Sequence, residues 1–157
     1  GQGPLAVVTG TVHNPAVDRL LQDRRRRLGL TVLPRDAGLA PLVAHLRRGR
    51  AAAVLLDQNL RVPSRRVPFC GVPARTPEGP ARLALKLGVP VLPVALLRDK
   101  TGVHRVHWLA PLAAGGAGGY AEQEVDRFLV ACNAALETLL RRNPAQWVWF
   151  HDRWGSD

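Results

Sequence analysis

The sequence has no methionine and only two cysteines in its 157 residues. Two thiols are too few for a disulfide framework, so we expect Cys70 and Cys132 to be reduced and the chain to face a reducing compartment. The longest apolar runs, residues 51–56 and 89–97, fall far short of the ~20 residues that a membrane-spanning helix needs. These scarcities exclude a small disulfide-stapled domain, and no run in the sequence predicts a membrane helix.

Lysine is scarce too, because only Lys86 and Lys100 accompany the arginines that dominate a formal net charge of +10. The planar guanidinium suits phosphate and carboxylate ligands, so the composition favours an anionic partner. A GC-rich genome would give the same bias with no function attached. Apolar residues make up 46% of the chain and charged residues 22%, which is typical of a globular protein. The length predicts a single domain over residues 1–157.

Apolar runs with strand character alternate with segments of helical periodicity. Asn14 and Pro15 predict the start of a first helix, which Gly29 ends. The other predictions are helices at 39–48, 76–87 and 120–142, strands at 5–9, 30–33, 51–56 and 89–97, a polar loop at 58–66, a hairpin of 95–98 with 103–109 and a Gly/Ala linker at 113–119. Both long apolar runs are predicted to be buried strands. The predicted fold class is α/β, with a mostly parallel central sheet flanked by helices, a long C-terminal helix and an aromatic tail.

Asp57 follows the predicted strand 51–56, and ligands of open α/β sheets bind at the carboxyl ends of strands. A carboxylate in that place is a candidate site residue, although ordinary turn aspartates also occupy strand ends. The four arginines of residues 24–27 close the first helix, where they complement its dipole. Because consecutive helical residues point in four directions, we expect one of these arginines to face inward, toward an anion or Asp57.

His13 and Asp18 are separated by four residues. Glycerolipid acyltransferases use this spacing for a histidine that acts as general base and the acid that orients it. Helix capping already accounts for Asn14, Pro15 and Asp18, however. A catalytic pair and a capped helix start therefore remain alternative interpretations of the same residues.

Residues 65–71 place two arginines beside a hydrophobic turn. This arrangement predicts a phosphate clamp at the mouth of an apolar groove, with Arg66, Phe69 and Gly71 as candidate substrate-binding residues. The alternative is a surface loop without a ligand.

Metal and nucleic-acid chemistry find less support. His104 and His107 would lie on opposite faces of a strand, and no Cys/His spacing predicts zinc, so we expect no metal site. The high basic charge permits nucleic-acid binding, but the aromatic residues are concentrated in the C-terminal tail and no nucleic-acid-reading motif is present. We therefore expect no nucleic-acid partner.

Four segments in a fixed order resemble one known family, and together they cover almost the whole chain. They are HNPAVDRLLQDRRRRLG, LPRDAGLAPLVAHLRRGRAAAVLLDQN, RRVPFCGVPARTPEGPARLALKLGVPVLPV and NPAQWVWFHDRW. Their combination of an Asn-Pro helix start, a strand ending in Asp-Gln, a Val-Pro-Phe-x-Gly turn and a closing Trp-x-His-x-Arg-Trp is similar to the late acyltransferases of lipid A biosynthesis. This lauroyl/myristoyl transferase family also contains phosphatidylinositol mannoside acyltransferases.

The resemblance implies a glycerolipid-acyltransferase-like fold and an enzyme at the cytoplasmic face of the bacterial inner membrane. Such an enzyme takes a fatty acyl chain from acyl carrier protein or acyl-CoA and esterifies a hydroxyl of a phosphorylated glycolipid, without a cofactor. An anionic membrane surface is a further expected partner. The resemblance also implies that functional positions of the family fall on Arg25 and Asp57.

The family's catalytic His-x-x-x-x-Glu/Asp motif and its membrane anchor would precede this chain. The register therefore disfavours His13 and Asp18 as the catalytic pair, and we expect these 157 residues alone to be an inactive part of the acyltransferase domain. Gly10 and Thr11 stand where many relatives carry Arg-Pro, a departure that weakens the expectation of an anion site there. The alternative function is a non-catalytic module of the same fold that binds anionic lipid.

Overall fold

Strands and helices alternate through the first part of the chain. The computed structural model describes residues 4–115 and 119–155, in two compact units, Gly1–Leu55 and Leu56–Asp157. The first unit contains β1 (Leu5–Thr9), α1 (Pro15–Arg27), β2 (Thr31–Pro34), α2 (Ala40–Arg47) and β3 (Ala51–Ala53). Its strands form a parallel sheet in the order β2-β1-β3. The α/β class is confirmed, and the single domain stays a prediction.

Helix α1 starts as the sequence predicts. The side-chain oxygen of Asn14 accepts hydrogen bonds from the backbone N–H groups of Ala16, at 3.0 Å, and Val17, at 3.3 Å. Pro15 occupies the first helical position, where its missing N–H has no intrahelical partner to lose. The helix ends at Arg27, slightly before the predicted stop, with four arginines in its last turn beside the negative end of the helix dipole.

The apolar run 51–56 is wrongly predicted as a buried strand. Only Ala51–Ala53 forms a strand, which is parallel as expected, and the Leu55 side chain is 66% exposed. Strand β3 lies at the edge of the described sheet, beside β1 alone. The apolar run therefore correctly predicts a parallel strand here, but the burial of the strand depends on its position in the sheet.

The second unit is built from two antiparallel hairpins and two helices. Its elements are β4 (Ser64–Phe69), β5 (Val72–Pro77), α3 (Gly79–Leu87), β6 (Val94–Arg98), β7 (His104–Trp108) and α4 (Glu122–Arg142). The predicted long helix is confirmed, and the predicted linker 113–119 lies partly outside the described residues. Within the parts of the chain that the structure describes, no helix is long and apolar enough to cross a membrane.

The β4–β5 hairpin replaces a predicted loop, turn and helix start. Val67 pairs with Ala74, and the strands are joined by Cys70 and Gly71, both with positive φ (52° and 80°), as a tight hairpin turn requires. Buried Val67 and Phe69 alternate with exposed neighbours, so the period of two was present in the sequence. The prolines in both strands obscured this pattern, because proline is usually confined to strand edges.

The β6–β7 hairpin is confirmed as predicted. Its turn is organised by Asp99, whose Oδ1 accepts hydrogen bonds from the N–H groups of Thr101 (2.9 Å) and Val103 (3.0 Å). The prediction that residues 89–97 form a buried strand is wrong. The strand begins only after Pro93, and Val94 and Leu96 are exposed on one face of the hairpin.

Helix α4 supplies one side of the core of the second unit. Its predicted apolar stripe is confirmed as buried or half-buried, and it packs against β4 and α3. The core side chains are Val67, Ala81, Ala84, Leu85, Ala114, Val125, Phe128, Leu129 and Cys132. Burial raises the pKa of the Cys132 thiol to about 11, so this cysteine behaves as an apolar core residue.

An ion-pair network ties β4 to the starts of α3 and α4. The Arg65 guanidinium contacts the carboxylates of Glu78 (2.9 Å), Asp126 (3.0 Å) and Glu122, and Arg82 contacts Glu78 and Glu122 as well. These guanidinium groups, Arg65 foremost, hold the pKa of the Glu78 carboxyl below its ordinary value. Arg65 is therefore engaged by protein carboxylates, whereas Arg66, next to it, is exposed.

We expect Leu129→Ala to lower the free energy of unfolding by about 2–5 kcal/mol, because it leaves a cavity in the core. Leu129 is fully buried in α4, whereas its neighbour Val130 is 41% exposed. Val130→Ala is the matched control and should change stability by well under half of that amount. Urea denaturation of both variants makes the comparison. Equal losses would contradict the assigned helix face.

We expect Glu78→Gln to destabilise the protein at neutral pH and to matter less in acid. A folded-state pKa below the unfolded value adds stability that is present above the unfolded pKa and is lost as the pH falls through the folded pKa. Urea midpoints of wild type and variant should therefore converge as the pH falls from 7 through the lowered pKa of the Glu78 carboxyl. A gap that stays constant with pH would show that the network does not act through the Glu78 charge.

Candidate functional site

Asp57 lies in a short loop, residues 56–59, which we call the Asp57 loop. The carboxylate is half-buried, and its Oδ1 is buried without a hydrogen-bond partner among the described residues. Desolvation of an unpaired carboxylate oxygen is costly, so such an atom requires a compensating charge or dipole close by. The guanidinium of Arg153 supplies that charge.

Arg153 is buried in the core of the second unit, with 1% of its surface exposed. Its terminal nitrogens donate to the carbonyl oxygen of Arg75, to Thr76 Oγ1 at 3.0 Å and to the carbonyl oxygen of Leu56 at 3.5 Å. The guanidinium carbon also lies 5.3 Å from the centre of the Phe69 ring, a cation–π distance. Burial lowers the pKa of Arg153, and the Asp57 carboxylate opposes that shift.

Two further polar side chains complete this buried group. Asn133, on α4, donates from Nδ2 to the carbonyl oxygen of Pro68 at 2.9 Å and to Thr76 Oγ1 at 3.2 Å. Its Oδ1 lies 3.5 Å from the Arg153 guanidinium. Thr76 and Asn133 are both fully buried, so their side chains hydrogen-bond to the arginine and to each other rather than to water. A connected polar group of this kind specifies one arrangement of the core.

Residues within the aromatic tail also hold the Asp57 loop. The N–H of Asn59 donates to His151 Nε2 at 2.8 Å, and Asn59 Nδ2 donates to the carbonyl oxygen of Asp152 at 3.0 Å. His151 accepts this bond only as a neutral ring with its proton on Nδ1. We call residues 151–153 the closing segment, since they contact the loop on both sides of Asp57.

Of the three predicted clamp residues, Phe69 is a core residue. Its ring packs at centroid distances of 5.5 Å on Trp147 and 5.8 Å on Trp154, and none of its surface is exposed. Arg66 is exposed on β4, and Gly71 is one of the two residues of the tight turn that follows this strand. The assignment of Arg66, Phe69 and Gly71 to substrate binding stays a prediction.

Arg25 differs from the other arginines of its cluster. It is half-buried on α1 with Nη1 at 3.4 Å from Gln22 Oε1, whereas Arg24, Arg26 and Arg27 are exposed. Arg25, the position that the resemblance assigned, is thus the least exposed of the four, and the expectation that one of them faces an anion or Asp57 stays a prediction. Arg25 belongs to the first unit and Asp57 to the second. The functional assignment of both stays a prediction.

His13 and Asp18 line the same open cavity, of about 640 Å³, at the start of α1. Asp18 Oδ1 accepts hydrogen bonds from the N–H of Val12 at 3.1 Å and from Gln22 Nε2 at 3.3 Å. These bonds fix the loop that enters the helix, which is the capping interpretation of Asp18. The catalytic interpretation of the pair stays a prediction.

Sequence reasoning gave no role to Arg153, Asn133 and Thr76. Asn133 interrupts the apolar stripe of α4, and a polar residue on a core face signals a buried partner. Arg153 lies between aromatic residues in the Trp-x-His-x-Arg-Trp motif of the tail, which is a second signal of a buried cation. Thr76 gave no signal, because the hairpin that places it was itself missed. In the described residues no group of three or more His, Cys, Asp or Glu side chains could hold a metal ion.

Comparison with known proteins agrees with the resemblance read from the four segments. The chain is similar to a phosphatidylinositol mannoside acyltransferase of Mycobacterium tuberculosis, with 30% identity over 140 residues, which cover 86% of this chain and 42% of the relative. The enzyme of the same name from Mycolicibacterium smegmatis is 28% identical over 160 residues, covering 99% of this chain and 50% of the relative. The chain thus spans half or less of the length of these relatives.

The family described as bacterial lipid A biosynthesis acyltransferase matches residues 1–156, which is nearly the full sequence. The match includes the buried Arg153, the Asp57 loop and the arginine-rich helix α1. This chain therefore belongs to the bacterial lipid A biosynthesis acyltransferase family.

Proposed function

We propose that the protein transfers a fatty acyl chain to a hydroxyl of a phosphorylated glycolipid. The observation that carries this proposal is the family match over residues 1–156. The two relatives above are named for a phosphatidylinositol mannoside acceptor, which supports a related glycolipid as acceptor here. The acyl donor would be a thioester, either acyl carrier protein or acyl-CoA.

The reaction is an exchange of an ester for a thioester. The acceptor oxygen attacks the thioester carbonyl, a new C–O bond forms, and the C–S bond breaks to release the donor thiol. The hydroxyl proton passes through a general base and ends on the departing sulfur. We assign the base to the family's His-x-x-x-x-acid motif rather than to His13, because Asp18 is already bonded to Val12 and Gln22.

We assign a separate role in the reaction to each of two residues of this chain, Arg25 in the first unit and Asp57 in the second. A half-buried guanidinium suits an acceptor phosphate, because charge-assisted hydrogen bonds are stronger when partly shielded from water. Asp57 is half-buried, so the accessible part of its side chain is able to accept a hydrogen bond from a group that enters the site. An acceptor hydroxyl is such a group.

The charge of the chain fits the proposed partners. A formal net charge of +10 attracts acyl carrier protein and anionic lipid headgroups, both of which are negative. We propose, as the family resemblance implies, that the protein acts at the cytoplasmic face of the inner membrane, whose anionic lipids the charge suits. The alternative, a non-catalytic module of this fold, would share the charge but not the dependence on Asp57.

In the intact enzyme that contains this chain, we expect Asp57→Asn to lower kcat about ten- to a hundredfold, since a hydrogen bond to a charged group contributes roughly 1.5–3 kcal/mol. Arg25→Gln should raise KM for the glycolipid about tenfold through the lost charge-assisted bond. Transfer of a labelled acyl group from acyl-CoA or acyl carrier protein to phosphatidylinositol mannoside measures both effects.

The matched control for Arg25 is Arg27→Gln, an exposed arginine on the same helix, which should leave KM unchanged. If Arg25→Gln and Arg27→Gln behave alike, the assignment of Arg25 fails. If the intact protein binds anionic vesicles but transfers no acyl group from either donor, it is the non-catalytic module instead.

A further inference from the structure

The Asp57 loop is bonded to the closing segment on both sides of the carboxylate. Before Asp57, the carbonyl oxygen of Leu56 lies 3.5 Å from the Arg153 guanidinium. After Asp57, both the backbone and the side chain of Asn59 donate to residues of the closing segment, at 2.8 and 3.0 Å. These contacts join residues more than ninety positions apart in the chain.

The Asp57 Oδ1 has no hydrogen-bond partner among the described residues, so no such bond anchors that oxygen, and its place depends on the backbone that carries the side chain. That backbone is held at Leu56 and at Asn59, and both restraints come from the closing segment. Residues 151–153 thus determine the position of the carboxylate through their contacts with Leu56 and Asn59.

The closing segment is itself held by the core. Arg153 is fixed by Thr76 on β5 and by Asn133 on α4, and its ring contact is with Phe69 on β4. A guanidinium with this many buried contacts has little freedom to move. Its charge acts on Asp57, while its own Nε has no hydrogen-bond partner among the described residues.

We propose that His151 and Arg153 are positioning residues for Asp57, with His151 acting through the Asn59 backbone and Arg153 through its charge and the Leu56 carbonyl. This inference rests on the proposed role of Asp57 in acyl transfer. Neither residue needs to touch substrate. His151 and Arg153 thereby act on the reaction site from the C-terminal part of the chain, far from Asp57 in the sequence, whereas Trp149 of the same motif has no such role.

The test uses the intact enzyme and a double-mutant cycle. His151→Phe keeps a ring and removes the acceptor, whereas His151→Gln retains an acceptor oxygen. We expect His151→Phe to lower kcat about tenfold with KM unchanged, because the Asp57 loop loses one hydrogen bond. His151→Gln should recover most of the lost kcat. In the Asp57→Asn background, His151→Phe should have no further effect.

Two variants extend the cycle. Arg153→Lys retains the buried charge but loses the fork that reaches Leu56, so it should lower kcat only when Asp57 is present. The matched control is Trp149→Phe, which removes a 2.8 Å hydrogen bond to Pro144 in the same tail but touches no residue of the Asp57 loop. Trp149→Phe should leave kcat unchanged.

A second measurement is independent of turnover. Amide hydrogen exchange at Asn59 should be about tenfold faster in His151→Phe than in wild type, because its N–H has lost its acceptor. Exchange in α4 should not change. This measurement decides the question if Asp57→Asn leaves no measurable activity.

Four outcomes would overturn the inference. They are an equal loss of kcat from His151→Phe with and without Asp57, a loss of the same size in Trp149→Phe, faster exchange that spreads through α4, or no change in either activity or exchange. A fifth outcome, wild-type activity in Asp57→Asn, would overturn the proposed role of Asp57 as well, which separates the two failures.

Discussion

The burial of the Arg153 guanidinium is the constraint on which the second unit depends. A cation in a protein interior is tolerated only when most of its donors are bonded and an opposite charge lies near. Thr76, Asn133 and the Arg75 carbonyl supply the bonds, and Asp57 supplies the charge. One side chain thus connects a hairpin, a long helix and the loop that carries the candidate site carboxylate.

This dependence explains why polar residues occupy the core face of two elements. An apolar residue at position 133 would remove the hydrogen bond to the Pro68 carbonyl and one acceptor of the guanidinium. The same holds for Thr76 on β5. The aromatic residues around Arg153 complete the enclosure, since Trp147 and Trp154 cover the Phe69 ring and Trp154 also donates to the Phe69 carbonyl. The contacts that stabilise the core around Arg153 are therefore the same contacts that hold the candidate site.

Local signals in the sequence predicted local structure well. The cap at Asn14, the stripe of α4 and the β6–β7 hairpin all follow from spacing and turn chemistry, and the structure has them. The β4–β5 hairpin was missed because its prolines disguise an alternating pattern. The contact between the closing segment and the Asp57 loop was beyond reach, since it joins distant residues whose pairing no periodicity encodes. The family resemblance pointed to Asp57 but gave no reason to expect that Arg153 is buried near it.

The order of the residues around Arg153 has a consequence for synthesis. Every partner of the guanidinium, from Leu56 to Asn133, precedes it in the chain. During translation, Thr76 and Asn133 leave the ribosome before the guanidinium that they bond, and until it follows they have only each other, nearby backbone carbonyls and the solvent. The core of this unit closes when the closing segment emerges, so its final folding step follows the synthesis of nearly all of its residues rather than accompanying it.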